Sequence, residues 1–251
     1  MTVQSQKNDS RTSNAVASAD GDCVCKLGVA EARKELQNML AVEINGRPFT
    51  ELAGVTFHHR GAELAGQVLL DALQEAGYSA ADFDAVGALT AAAVPLVDAV
   101  LHAATQRGQK LNAFVMDFVY PSIKGPSIAG KRVLLLDAWL SEKSYVQTSS
   151  LVTLRNGNEL SLDCGIVSRQ GASIVAVISL VGGIGIRESS DSVSSPSQQL
   201  AEDPLRTAIK IVDPIDAHEQ MIPFVCAFDE SLFEPDVGES QSADNDCEQM
   251  R

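Results

Sequence analysis

The sequence predicts an α/β fold, an open parallel sheet flanked by helices with one inserted β-hairpin. Three observations predict it. Four short runs, FDAVGAL, NAFVMDFV, RVLLLDAWL and SIVAVISLV, are continuously apolar rather than alternating, the pattern of strands covered on both faces. A helix-period segment separates the first two runs, which makes a βαβ unit with a right-handed crossover. Between the third and fourth runs, rough alternation on both sides of Asn156-Gly157 signals a β-hairpin.

The elements follow in chain order. Residues 27–42 carry Leu27, Ala30, Leu36, Met39 and Leu40 between charges, which predicts an amphipathic helix. Residues 62–76 repeat the pattern through Leu64, Ala65, Val68, Leu69 and Leu73, and Gly77 is placed to stop that helix. Strands are predicted over 83–89, 112–119, 132–140 and 173–181, with a helix over 93–106. The hairpin arms are 151–155 and 159–167, so the crossover helix expected between the last two strands is shortened, displaced or replaced. Residues 1–26 and 236–251 are polar and lack hydrophobic period, which predicts disorder. A Ser-rich stretch over 188–205 reads as a flexible loop, leaving an α/β core over 27–187 and a closing segment over 206–235.

Composition excludes some functions. A formal charge of −14 opposes phosphate-rich partners, because nucleic-acid binding needs a basic stripe to displace counterions. No apolar run approaches the roughly 18 residues of a spanning helix, and the first residues show no apolar signal core, so the reading is a cytoplasmic protein with no membrane partner. Cys23, Cys25, Cys164, Cys226 and Cys247 are scattered free thiols, and Cys23 and Cys25 lack the second pair a zinc site needs. No metal site is expected.

Some segments resemble one known family. GKRVLLLD is similar to the GKRVLVVDD of orotate phosphoribosyltransferases, and VGALTAAAVPLVDAVLHAA to their VGGLTLGADPLATAVAHAA. Upstream, TFHHRGAELAGQVLLDAL resembles a segment of the actinobacterial members. Downstream, GASIVAVISLV resembles GAEVVGVAVLV, and PFVCAFDESLF resembles the family's closing segment. The likeness covers about 52–181 and, more loosely, 223–233. It implies a type I phosphoribosyltransferase-like sheet, a homodimer, and chemistry on phosphoribosyl pyrophosphate with Mg²⁺.

That chemistry needs acceptors for ribose hydroxyls and donors for two phosphate groups. The family supplies two adjacent acids at the end of the third strand; Asp137 matches the first, but Ala138 replaces the second and accepts no hydrogen bond. The family's TTGGS phosphate loop aligns with Ser141, Glu142, Lys143, Ser144 and Tyr145, which lack both glycines. Thr90 and Pro95 match the pyrophosphate loop, whereas Ala88 and Ala92 replace glycines and Val94 an acid. Asp117 and Phe118 stand at the Arg-Lys pair that opens the catalytic loop, and the stretch before Gly125 is too short to hold that loop. Lys124 is assigned to a surface turn, and Gly182 and Gly183 replace an Asp-Arg at the base-recognition end.

The resemblance therefore leaves a remnant phosphoribosyl pyrophosphate site of Asp137, Ser141, Lys143, Ser144 and Thr90, with Ala138, Asp117, Phe118, Gly182 and Gly183 as lost positions. No catalytic residue is assigned and no cofactor is expected; Mg²⁺ enters only if phosphoribosyl pyrophosphate binding is retained. The leading expectation is an inactive, regulatory or interaction protein with a protein partner. The alternatives are an active phosphoribosyltransferase with an altered site and a nucleotide-sensing module. His58 and His59 match a helix start, and Trp139 either fills the ribose volume or belongs to the core.

Overall fold

The computed structural model describes residues 28–47, 50–117, 119–141, 153–155, 159–161, 165–183, 207–213, 215 and 217–234. Helix α1 (Val29–Ile44) buries Ala32, Leu36, Leu40 and Ile44, a stripe of fourfold spacing that lies along one side of a helix. A single turn, α2 (Ala53–Thr56), leads into α3 (His59–Glu75). The Nδ1 atom of His58 accepts from the Gly61 amide at 3.4 Å and so caps the start of α3. At its end Gly77 takes φ +83°, while Tyr78 N–H donates to Leu73 and Gly77 N–H to Gln74, the double closure that glycine permits. Helix α4 (Val94–Gln106) follows a 3₁₀ turn at Ala91–Ala93 and holds Pro95 in its first turn, where no amide partner is needed.

The strands are β1 (Ala85–Ala88), β2 (Asn112–Asp117), β3 (Ser122–Lys124), β4 (Arg132–Ser141), β5 (Thr153–Arg155) and β6 (Glu159–Ser161). After a one-turn helix α5 (Gly165–Ser168) come β7 (Ser173–Gly183), β8 (Thr207–Val212) and β9 (Glu219–Asp229). They form one sheet of nine strands in the order β3-β2-β1-β4-β7-β9-β8-β6-β5. Neighbours from β2 through β9 run parallel, as the apolar runs predict. The sheet as a whole is mixed, because β3, β8 and β5 each pair antiparallel with a sequence neighbour.

Two apolar layers cover the sheet. Helices α1, α3 and α4 pack on one face over Val86, Leu134, Leu136, Ile178 and Val225. On the other face Phe114, Leu135, Val177, Ile209 and Phe224 meet Ile128 and the Ile166 and Val167 of α5. Helices α3 and α4 run side by side in the same direction, with Arg107 at the end of α4 bonding Gln67 and Asp71 of α3. Their approach needs Gly66, because a Cβ there would lie 2.3 Å from the main-chain oxygen of Ala99.

The hairpin predicted around Asn156-Gly157 is present as β5 and β6, in register from Thr153 with Ser161 to Arg155 with Glu159. Its second arm is shorter than the expected 159–167, since Ile166 and Val167 turn into α5. Asp213 braces that turn: its Oδ2 accepts from the Gly165 amide at 3.2 Å and supplies the first donor of the helix with a partner. The crossover between β4 and β7 thus retains only one helical turn among the described residues. The closing segment contributes more than expected, two full strands followed by a 3₁₀ turn at Glu230–Phe233. The predicted Ser-rich loop and both predicted disordered ends lie outside the described residues. No helix among the described residues is long and apolar enough to cross a membrane.

Candidate functional site

The carboxyl end of a parallel sheet is where open α/β folds place ligands, and there Asp137 meets Thr90. Thr90 follows β1 and donates through Oγ1 to Asp137 Oδ1 at 2.7 Å; the same oxygen accepts from the Ala138 amide at 2.7 Å. The Asp137 side chain is buried, with 6% of the residue exposed. Burial pushes its carboxyl up to about 6; the bonds from Thr90 and Ala138 oppose that shift, and the charge of Glu51 adds to it. Ser179, the register partner of Asp137 on β7, carries a buried hydroxyl with no hydrogen-bond partner. Beside it on β9 lies Cys226, whose thiol burial pushes up to about 11, a poor nucleophile.

The strand does not end at Asp137. β4 continues through Ala138, Trp139, Leu140 and Ser141, and stays paired with β7 to the match of Ser141 with Gly183. Ser141 is therefore a fully buried strand residue and not the first residue of a phosphate loop, a correction to its predicted placement. The physical reason is β7, which runs to Gly183 and keeps offering β4 a ladder. Lys143 and Ser144, with Glu142 and Tyr145, lie outside the described residues.

Trp139 is 4% exposed, and its Nε1 donates to Glu230 Oε2 at 3.1 Å. The Glu230 side chain crosses over Gly183, where a Cβ would come within 2.1 Å of the Glu230 Cδ. Gly182 is equally enclosed: a Cβ there would meet the Cys226 Cβ at 2.6 Å and the Phe224 ring at 2.9 Å. The two glycines admit neighbouring side chains, and Trp139, Glu230 and Phe224 take up the space. The contribution of Glu230 was not read from the sequence; its signal was an acid two residues past an apolar run.

Asp117 and Phe118 stand where the resemblance places the start of a mobile loop. Phe118 lies outside the described residues. Asp117 Oδ1 accepts from the amides of Val119 and Tyr120, each at 3.0 Å, and the chain turns at once into β3. Those amides, chiefly that of Tyr120, hold the Asp117 carboxyl below its usual range. Lys124 is the last residue of β3 and not part of a loose turn, with Nζ 3.5 Å from Asp117 Oδ2. A short hairpin tied by one carboxylate occupies this position. Replacing Asp117 by alanine is expected to speed hydrogen exchange at Val119 and Tyr120 while leaving β4 amides unchanged; equal exchange at the turn in both proteins would deny Asp117 its role.

His58 and His59 lie together, with ring centroids 4.5 Å apart, and His58 is engaged as a helix cap. Among the described residues no group of three or more His, Cys, Asp or Glu is arranged to hold a metal. A cavity of about 240 Å³ is lined by Leu73, Tyr78, Phe83, Arg107 and Gln109. It sits at the opposite, amino end of the strands, away from Asp137.

No protein-family model matches the chain. Curated relatives do. The chain is 40% identical over 95 residues to orotate phosphoribosyltransferase of Streptomyces avermitilis, covering 36% of this chain and 50% of that protein. It is 32% identical over 139 residues to the Streptomyces coelicolor orotate phosphoribosyltransferase, covering 53% of this chain and 66% of that one. The chain thus spans about half to two thirds of the length of these relatives. A solved structure of Mycobacterium tuberculosis orotate phosphoribosyltransferase with 5-phospho-α-D-ribosyl 1-diphosphate matches at 18% identity and a TM-score of 0.48, over 84% of this chain and 95% of that one. By sequence, this chain is similar to the actinobacterial orotate phosphoribosyltransferases.

Proposed function

We propose that this protein is an orotate phosphoribosyltransferase-like protein that does not transfer phosphoribosyl groups and acts through protein interaction or regulation. The observation that carries the reading is the continuation of β4 past Asp137. A phosphoribosyl site needs main-chain donors converging on an anion. Here the main chain from Trp139 to Ser141 stays in register with β7, and Trp139 and Glu230 fill the end of the sheet. Asp137 stands without a second acid, since the methyl of Ala138 accepts nothing. Among the described residues, those around Asp137 do not fit phosphoribosyl pyrophosphate with Mg²⁺, because they offer neither a second acid nor converging main-chain donors. In this reading the protein works in the cytoplasm as a homodimer with a further protein partner.

The test is turnover with phosphoribosyl pyrophosphate, Mg²⁺ and orotate. Loss of one transition-state contact costs a factor of about 10² to 10³, and several are missing, so product formation is expected below about a thousandth of that of an ordinary relative. Turnover comparable with such a relative ends the proposal.

One observation favours a second reading. The Thr90 to Asp137 hydrogen bond keeps two of the family's polar positions together, as a sensing module or an altered transferase would require. Thermal unfolding with phosphoribosyl pyrophosphate and nucleotides separates the readings, because only a retained site raises apparent stability.

A further inference from the structure

The exposed large hydrophobic residues are unevenly placed. Among the described residues they are Val29, Val42, Phe57, Val94, Val119, Tyr120, Ile215, Met221 and Leu232. Topology assigns most of them to one end. Val119 and Tyr120 lie in the turn after β2, Val94 opens α4 just past β1, and Leu232 follows β9, all at the carboxyl end of parallel strands. Phe57 precedes α3, which runs in the same direction as α4. Val42 lies near the end of α1, which meets the segment leading into α3, since Glu43 packs over Gly54 and accepts from Thr50. Six apolar side chains, from 40% exposed at Val94 to 81% at Val42, therefore rim the end of the sheet that would hold a ligand. Asp117 fixes the turn that presents two of them, with its bonds to the Val119 and Tyr120 amides.

The charge at this rim is one-sided. Among the described residues its cations are already matched: Arg47 faces Glu43, Arg60 faces Glu35 and Glu63, and Lys124 faces Asp117. Glu51, close enough to Asp137 to act on its carboxyl, has no ion pair or hydrogen bond among the described residues. Aromatic rings at Phe57 and Tyr120 add faces that attract guanidinium groups.

We infer that the carboxyl-end rim is a docking surface for a cationic, apolar segment of another protein, with Phe57, Val119 and Tyr120 as anchors and Glu51 as the charge partner. This names the partner chemistry of the interaction role proposed above and rests on it. Apolar contact places the segment, and the acidic field selects its charge.

The probe is a synthetic amphipathic peptide of arginine, leucine and tryptophan, titrated into the full chain against a twin carrying glutamate for every arginine. The cationic peptide is expected to bind at least about tenfold more tightly, with hydrogen-exchange protection at Val119 and Tyr120. Phe57→Ser with Tyr120→Ser, which changes no charge, is expected to weaken binding about tenfold, whereas Met221→Ser at the amino end leaves it unchanged. Val119→Ser repeats the test on a separate side chain, and thermal unfolding confirms that each variant is folded. Equal binding of the two peptides overturns the inference, as does binding that ignores the Phe57 and Tyr120 changes. Turnover of phosphoribosyl pyrophosphate, measured separately, would defeat the non-catalytic reading while leaving the peptide result standing.

Discussion

Trp139→Ala is expected to lower the free energy of unfolding by about 3–5 kcal/mol, the range for removing a large buried aromatic. The side chain is almost wholly enclosed, packs with the helix-covered face of the sheet and donates to Glu230. Its removal leaves a void and takes a donor from a partly buried carboxylate. Trp139→Phe keeps most of the volume and loses only the N–H, so a smaller loss of about 1–2 kcal/mol is expected. Urea unfolding followed by far-ultraviolet circular dichroism measures both. If alanine proves no more harmful than phenylalanine, Trp139 is not packed as described and the end of the sheet is open.

The second large effect depends on pH. The Asp137 carboxyl is held at about 6 by burial, above its ordinary range, so the folded state binds that proton more tightly than the unfolded chain does. The group therefore adds stability that is fully present below about pH 4 and is lost as pH rises through about 6. A move of this size corresponds to about 3 kcal/mol. Asp137→Asn cannot ionise, yet its side-chain oxygen still accepts from Thr90 and the Ala138 amide. Its stability relative to the parent is expected to rise by about 3 kcal/mol between pH 4 and pH 7 and to stay level above that. Other carboxylates work in the opposite sense. Those of Glu35, Asp84 and Asp117 lie below their usual range beside Arg60, Arg132 and the Tyr120 amide. The informative quantity is thus the difference between the two proteins in parallel denaturant titrations. A difference independent of pH would show that Asp137 is solvated.

The central architecture was legible because burial on two faces leaves a direct trace in composition. RVLLLDAWL and SIVAVISLV are apolar at seven of nine positions each and form the longest parallel contact of the sheet, β4 with β7. Helix ends were legible where glycine is required, as at Gly77. β3 was not legible, because three residues held by a carboxylate cap have no periodicity to display. β8 was legible in principle, since TAIKIV alternates and buries Ile209 and Ile211. At the site, Asp137 and Thr90 were named and are in contact. The apolar run over 132–140 already carried β4 past Asp137; the last step, Ser141 paired with Gly183, was not legible, because whether a strand persists depends on a neighbour about 40 residues away, and no local pattern in β4 reports the length of β7.

The strand order has a further consequence for how the chain assembles. β5 and β6 are synthesised well before β8 and β9, yet their link to the rest of the sheet runs through β8, which itself hangs on β9. Until the last of these pieces leaves the ribosome, the earlier hairpin has no edge to join. Removing residues from 207 onward would consequently strip four strands, not two, and expose the flank of β7 as an unpaired template for aggregation.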